Sequence, residues 1–191
     1  MPERALLLTG FGPFPGVVDN PTARLALAFA GRQLGAWRVH TDVLPAAWQR
    51  ARAQVQARAA ALNPEILVHL GVASETVALR LEVQAANALQ FRVADADGAQ
   101  PLEGAVVAGA PAVLQTALDV PSLVAVLQRA GLPAEVSHDA GRYVCNATYF
   151  NSLHAYGDRP VLFVHVPPVS AAWPLARLEL AVGQVLDWLV A

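Results

Sequence analysis

One cysteine in 191 residues leaves no material for an intrachain disulfide framework or a thiolate-only metal site. That scarcity fits a reducing compartment, and the expected location is the cytoplasm. Charge is thin as well: 15% of residues are charged, the net charge is −2 and the pI is near 6.2. No basic stripe or Lys/Arg cluster appears, which argues against nucleic acid and against an anionic membrane as partners. Long apolar runs are also missing. The short apolar segment after Met1-Pro2-Glu3-Arg4 is broken by Gly10, Gly12 and Pro13, too soon for a signal-peptide core, and no uninterrupted run approaches membrane-spanning length.

What the chain does have is apolar character. Hydrophobic residues make up 55% and mean hydropathy is +0.39, above an average soluble domain. Some of that surface is expected to be hidden in a homo-oligomer. The length suits one domain spanning residues 1–191, with a substantial core.

Short aliphatic runs alternate with helical stretches. Strands are expected at Ala5–Thr9, Arg38–Leu44, Glu65–Leu70 and Val161–Val166, with weaker ones at Thr76–Val83 and Ala134–Ser137. Helices are expected at Pro21–Arg32, Ala46–Leu62, Pro121–Ala130, Tyr143–Tyr156 and Pro174–Leu189. Asn20 is the expected N-cap of the first, ahead of Pro21, and the Tyr143–Tyr156 helix reads as amphipathic. From Gln84 to about Gly109 no period holds, and a stretch of that length reads as a functional loop. Continuous apolar strands alternating with helices predict a three-layer α/β/α sandwich.

In such folds ligands collect beyond the carboxyl ends of strands, and five features are expected at that rim. Cys145 falls in the first turn of a helix, where unpaired amides and the dipole favour the nucleophilic thiolate; a lone cysteine is otherwise commonly an inert core residue. His165 lies near the end of a buried strand and could take the thiol proton, but His69 sits in the same kind of context, and position alone leaves both open. Glu82 is either an exposed strand carboxylate or the group that orients the histidine. Arg92 follows in the aperiodic loop, by itself a solvated cation. The turn Thr9-Gly-Phe-Gly-Pro-Phe-Pro-Gly16 matches neither a dinucleotide nor a Walker phosphate loop; Phe11 and Phe14 could wall a pocket for a flat neutral ligand or simply pack the turn.

Four segments, in order along nearly the whole chain, resemble the pyroglutamyl peptidase I (pyrrolidone-carboxylate peptidase) family of cysteine peptidases. Thr9–Gly16 with Asn20-Pro21-Thr22 is similar to its opening T-G-F-x-P-F-x-G…N-P-S/T. Tyr143-Val-Cys-Asn146 with Tyr149-Phe150 is similar to its nucleophile motif, and Phe163-Val-His-Val-Pro167 to its histidine segment. The spacing from Glu82 to Arg92 also matches, as do Asp95, Gly98 and Pro101.

The resemblance implies an α/β/α fold with a mixed sheet, often a homotetramer. It implies hydrolysis after an N-terminal pyroglutamyl residue, with no metal or organic cofactor, on peptides that begin with that residue. It implies Cys145 as nucleophile, His165 as base, Glu82 as orienter and Arg92 near the oxyanion. Phe11, Phe14, Asn20, Gly71, Val72 and Val144 would contact substrate. Departures fall after Gly71, where Val72-Ala-Ser-Glu-Thr76 replaces the usual Gln-Ala-Gly-Gly-Arg, and at Val83, Ala94 and Ala96. Two other readings remain open from the residues: a catalytically weakened binding homologue, and a phosphorylase-like enzyme on fold analogy alone.

Overall fold

The computed structural model describes residues 3–14, 16–17 and 19–191; Pro15 of the aromatic turn and Met1-Pro2 lie outside the described residues. β1 (Arg4–Phe11) leads through the turn to α1 (Pro21–Ala28). A two-residue strand β2 (Gln33–Leu34) precedes β3 (Trp37–Leu44), α2 (Trp48–Leu62) and β4 (Ile66–Val72). Then come β5 (Leu79–Glu82), β6 (Gln84–Ala86), β7 (Val113–Gln115), α3 (Val120–Arg129) and β8 (Ala134–Ser137). The chain closes with α4 (Val144–Tyr156), β9 (Val161–Val166) and α5 (Leu175–Val190).

Seven strands form one twisted mixed sheet in the order β2-β3-β1-β4-β9-β5-β8. β3, β1, β4 and β9 run parallel, whereas β5 is antiparallel to β9 and carries β8 parallel to itself. Helices cover both faces, as expected. Leu6, Leu8, Ile66, Val68, Leu79, Leu81, Leu162 and Val164 pack toward α1, α3 and α5. Alternate residues of the same strands, Leu67, Val161 and Phe163, pack toward α2 and α4. That period of two sorts the chemistry: His69, Gly71, Glu82 and His165 fall on the α4 face. Among the described residues no helix is long and apolar enough to cross a membrane.

Three sequence expectations change. α1 stops four residues early, because a turn closes through Phe29 and Gly31 takes positive φ. β6 and β7 pair antiparallel across the aperiodic segment, three residues each, too short to show a period. α4 is not amphipathic. Residues 146–153 are all buried, because the helix packs on β4 and β9 below and against α2, β6 and β7 above. A helix enclosed on all sides has no solvent face to mark with charge.

Candidate active site

β1 passes so close to the start of α1 that a side chain at Gly10 would collide with the backbone of Thr22. Asn20 caps α1: its Oδ1 accepts from Thr22 N–H at 3.1 Å and from the Thr22 hydroxyl at 2.8 Å, while Nδ2 donates to Gly12 O at 3.1 Å. Phe11 N–H in turn donates to Thr22 Oγ1 at 2.9 Å. The aromatic turn is thereby tied to a helix cap, which sets where Phe11 and Phe14 stand.

Cys145 is the second residue of α4. The N-cap, Tyr143, offers no side-chain bond to the helix, and the first turn-to-turn bond runs from Ala147 N–H to Tyr143 O at 3.0 Å. The amides of Val144, Cys145 and Asn146 therefore precede the ladder at the positive end of the helix dipole. The thiol lies half-buried against Gly71 at the end of β4. A Cβ on Gly71 would sit 3.0 Å from the Cys145 sulfur and 2.8 Å from the Phe163 ring, so only glycine leaves room for the thiol there.

Gly71 is the register partner of His165 across β4 and β9. His165 Nδ1 lies 2.8 Å from Glu82 Oε1, and the ring shares a cleft wall with the Cys145 thiol. Both residues are buried, Glu82 completely and His165 to 7% exposure. Burial alone would lower the His165 pKa; hydrogen bonds to Cys145 and Glu82, reinforced by their charges, outweigh it and hold the imidazole at about 9.

Glu82 meets His165 because β5 runs antiparallel to β9. Glu82 pairs with Phe163, two residues before His165 on the same face, so the two side chains are diagonal neighbours. The carboxylate thus reaches the imidazole from inside the sheet, not from the rim where it was expected. Nor is Glu82 the exposed strand residue that composition favours. Tyr149 O–H donates to the Glu82 carbonyl at 2.8 Å and fixes that strand end beneath α4.

His69 is a different kind of histidine. Its Nδ1 is 2.7 Å from Thr9 Oγ1 and its Nε2 is 2.9 Å from Ser152 Oγ, so both nitrogens are satisfied in the core. Burial lowers its pKa to about 4 and keeps it neutral.

Two cavities meet at Cys145. A recess of about 70 Å³ is lined by Phe11, Phe14, Asn20, Ala46, Val72, Tyr143, Val144 and the thiol. A wider cleft of about 570 Å³ opens on the other side, where Val72, Thr76, Arg80, Asp139, Cys145 and His165 are among its walls. Arg92 lines neither. It is exposed, in a separate depression beyond Tyr143.

Sequence reasoning missed what holds the 84–109 loop. Asn146 acts as a strand edge built from a side chain: Oδ1 accepts from Ala86 N–H at 2.8 Å, and Nδ2 donates to Ala86 O at 2.8 Å and Ala88 O at 3.2 Å. Tyr143 O–H donates to Ala94 O at 3.0 Å and its ring packs on Phe91. Buried Asp95 accepts from the amides of Trp48, Asp97 and Ala99. The signal available was the C-N dipeptide and the D-x-D-G turn, whose partners are distant in sequence.

A thiol beside an imidazole that is bonded to a buried carboxylate, at the mouth of a small apolar recess in a mixed α/β sheet, has the chemistry of a cysteine hydrolase. The family model described as pyroglutamyl peptidase matches residues 4–173. The pyrrolidone-carboxylate peptidase of Gloeobacter violaceus is 37% identical over 95% of both chains, and that of Thermococcus litoralis is 34% identical over 86% of this chain and 76% of the relative. Among solved structures, pyrrolidone carboxyl peptidase from Pyrococcus furiosus superposes with a TM-score of 0.92 at 27% identity, covering 97% of this chain and 98% of that one. Pyroglutamyl peptidase I of Bacillus amyloliquefaciens gives 0.90 at 25%, covering 98% and 97%. The chain belongs to the pyroglutamyl peptidase family.

Proposed function

We propose that the chain hydrolyses the bond after an N-terminal pyroglutamyl residue by thiol catalysis, within one catalytic domain spanning residues 1–191. The observation that carries this reading is the His165–Glu82 pair set beside the Cys145 thiol at the mouth of a small aromatic recess. The recess suits a five-membered lactam, which is flat and uncharged and needs no carboxylate to meet an amine. Phe11 and Phe14 wall it, and Val72 and Val144 complete its apolar lining. Asn20 serves it indirectly, since its amide is committed to the turn and cap.

His165 takes the Cys145 proton as the sulfur attacks the pyroglutamyl carbonyl. The resulting oxyanion sits at the α4 N-terminus, within reach of amides that no side chain caps. Collapse forms the thioester as His165 hands its proton to the leaving amine. The imidazole then takes a proton from water, which attacks the thioester and releases pyroglutamate and the thiolate. Glu82 keeps the ring oriented and stabilises its charged form. Arg92 contributes positive potential from beyond Tyr143 without touching the oxyanion.

We further place the protein in the cytoplasm, acting on peptides as a homo-oligomer; the exposed Leu27 on α1 and Leu180 on neighbouring α5 support a buried subunit contact, and the family resemblance favours a tetramer. A pyroglutamyl amide with a chromogenic leaving group tests the activity. Turnover is expected, with stoichiometric inactivation by a thiol alkylator that bound substrate slows. Full activity in completely alkylated protein, or in Cys145→Ala, would overturn the thiol mechanism.

A further inference from the structure

We infer that the cleft on the leaving-group side of Cys145 selects the residue that follows pyroglutamate, and that Glu75 biases it toward a cationic side chain. The inference rests on the proposed reaction and names its second specificity site. His165 must protonate the departing amine, and His165 lines the wide cleft but not the aromatic recess. With the lactam in the recess, the departing residue lies on the side that His165 lines, in that cleft. The depression that holds Arg92 adjoins this cleft at Asp139, Gly141 and Tyr143 but contains neither Cys145 nor His165, so Arg92 lies farther along it than the departing residue.

The charges that line the cleft largely cancel in pairs. Arg80 is committed: its Nη2 donates to Ser137 Oγ at 2.7 Å and to Asp139 O at 3.3 Å, and its Nε lies 3.6 Å from Glu135. Asp139 is bound by Arg142 at 2.8 Å and caps the amide of Gly141. The thiolate and imidazolium offset one another. Glu75 is left, a cleft wall in no ion pair among the described residues.

Glu75 does not hang on a loose tether. Ala73 N–H donates to Val166 O at 3.0 Å, locking the turn to the end of the histidine strand. Thr76 N–H closes the turn on Ala73 O at 3.2 Å, and its hydroxyl donates to Ala78 O at 2.8 Å. The carboxylate therefore sits on a hydrogen-bonded turn that follows directly on Val72, which walls both cavities. A cation carried one residue beyond the scissile bond enters the field of that carboxylate; an anion there is repelled.

The test is kcat/KM for pyroglutamyl-lysine amide, pyroglutamyl-norleucine amide and pyroglutamyl-glutamate amide, read as released pyroglutamate. Amidation removes the terminal carboxylate, so the side chain carries the only charge that differs across the series. The expected order is lysine, norleucine, glutamate, spanning roughly three- to tenfold at low ionic strength and narrowing in concentrated salt, as an exposed charge should. Glu75→Gln should narrow the spread and Glu75→Lys reverse it, with circular dichroism confirming the fold. Equal cleavage of all three, or an order unchanged in Glu75→Lys, would overturn the inference while leaving the proposed function standing. Failure of the native protein to cleave any of the three would overturn both.

Discussion

At the scale of single residues, geometry assigns two histidines opposite duties. His165 is held near a pKa of about 9 against its own burial, by Cys145 and Glu82. The free enzyme's kcat/KM should therefore lose activity on an alkaline limb near pH 9, as the imidazolium deprotonates. Glu82→Gln removes one of the two supports, so that limb should move toward the unperturbed value of about 6.5 and kcat should fall roughly 10²- to 10⁴-fold. An alkaline limb unmoved in Glu82→Gln would show that the carboxylate does not stabilise the charged ring. Gly71 makes a second prediction. Gly71→Ala puts a methyl between the thiol and the Phe163 ring, where the contacts would be 2.8 to 3.0 Å. Overpacking of that kind costs about 1–3 kcal/mol of stability, and the displaced thiol should lose at least roughly tenfold in kcat. Steady-state kinetics alongside urea denaturation would separate the two effects.

At the scale of elements, α4 carries both the proposed nucleophile and the clamp for the long loop between β6 and β7. Its uncapped first turn is costly for a helix, about 1 kcal/mol against a capped one, and leaves amides for the developing oxyanion. One position past the thiol, Asn146 makes three bonds to the backbone of Ala86 and Ala88. Asn146→Ala leaves the Ala86 amide and both carbonyls without those partners, at a cost of about 1–3 kcal/mol. It should also raise KM, because the loop it anchors carries Phe91, the ring on which Tyr143 of the recess packs. Faster amide hydrogen exchange across residues 86–110, with α5 unchanged, is the measurement that checks it.

At the scale of the molecule, the core carries a pH liability in His69. Its folded pKa, about 4, lies below the unfolded value near 6.5, so the unfolded chain binds a proton that the folded one refuses. The neutral ring is favoured above pH 6.5, and that stability is lost as pH falls from 6.5 toward 4, up to about 3 kcal/mol. The midpoint of thermal unfolding should drop over that window, and His69→Asn should flatten the drop even if it lowers stability at pH 7. A native profile with no inflection between pH 6.5 and 4 would show the buried ring to be irrelevant.

Much was settled by local pattern. The buried strands, the Asn20 cap and the helix that carries the only cysteine in its first turn follow from periodicity and capping chemistry that operate within a few residues. Glu82, His165 and Cys145 could be named from family motifs, but no local rule separates His165 from His69, since each lies near the end of an expected apolar strand. Strand order gives them different neighbours. β5 inserts antiparallel beside β9 and brings a carboxylate diagonally under His165, whereas the neighbours of His69 are Thr9 and Ser152. The enclosure of α4, the pairing of β6 with β7, the loop clamp through Asn146 and the division of the site into recess and cleft were likewise decided only in three dimensions. Each depends on groups brought together from distant parts of the chain, and a one-dimensional period carries no information about which distant partner completes a hydrogen bond.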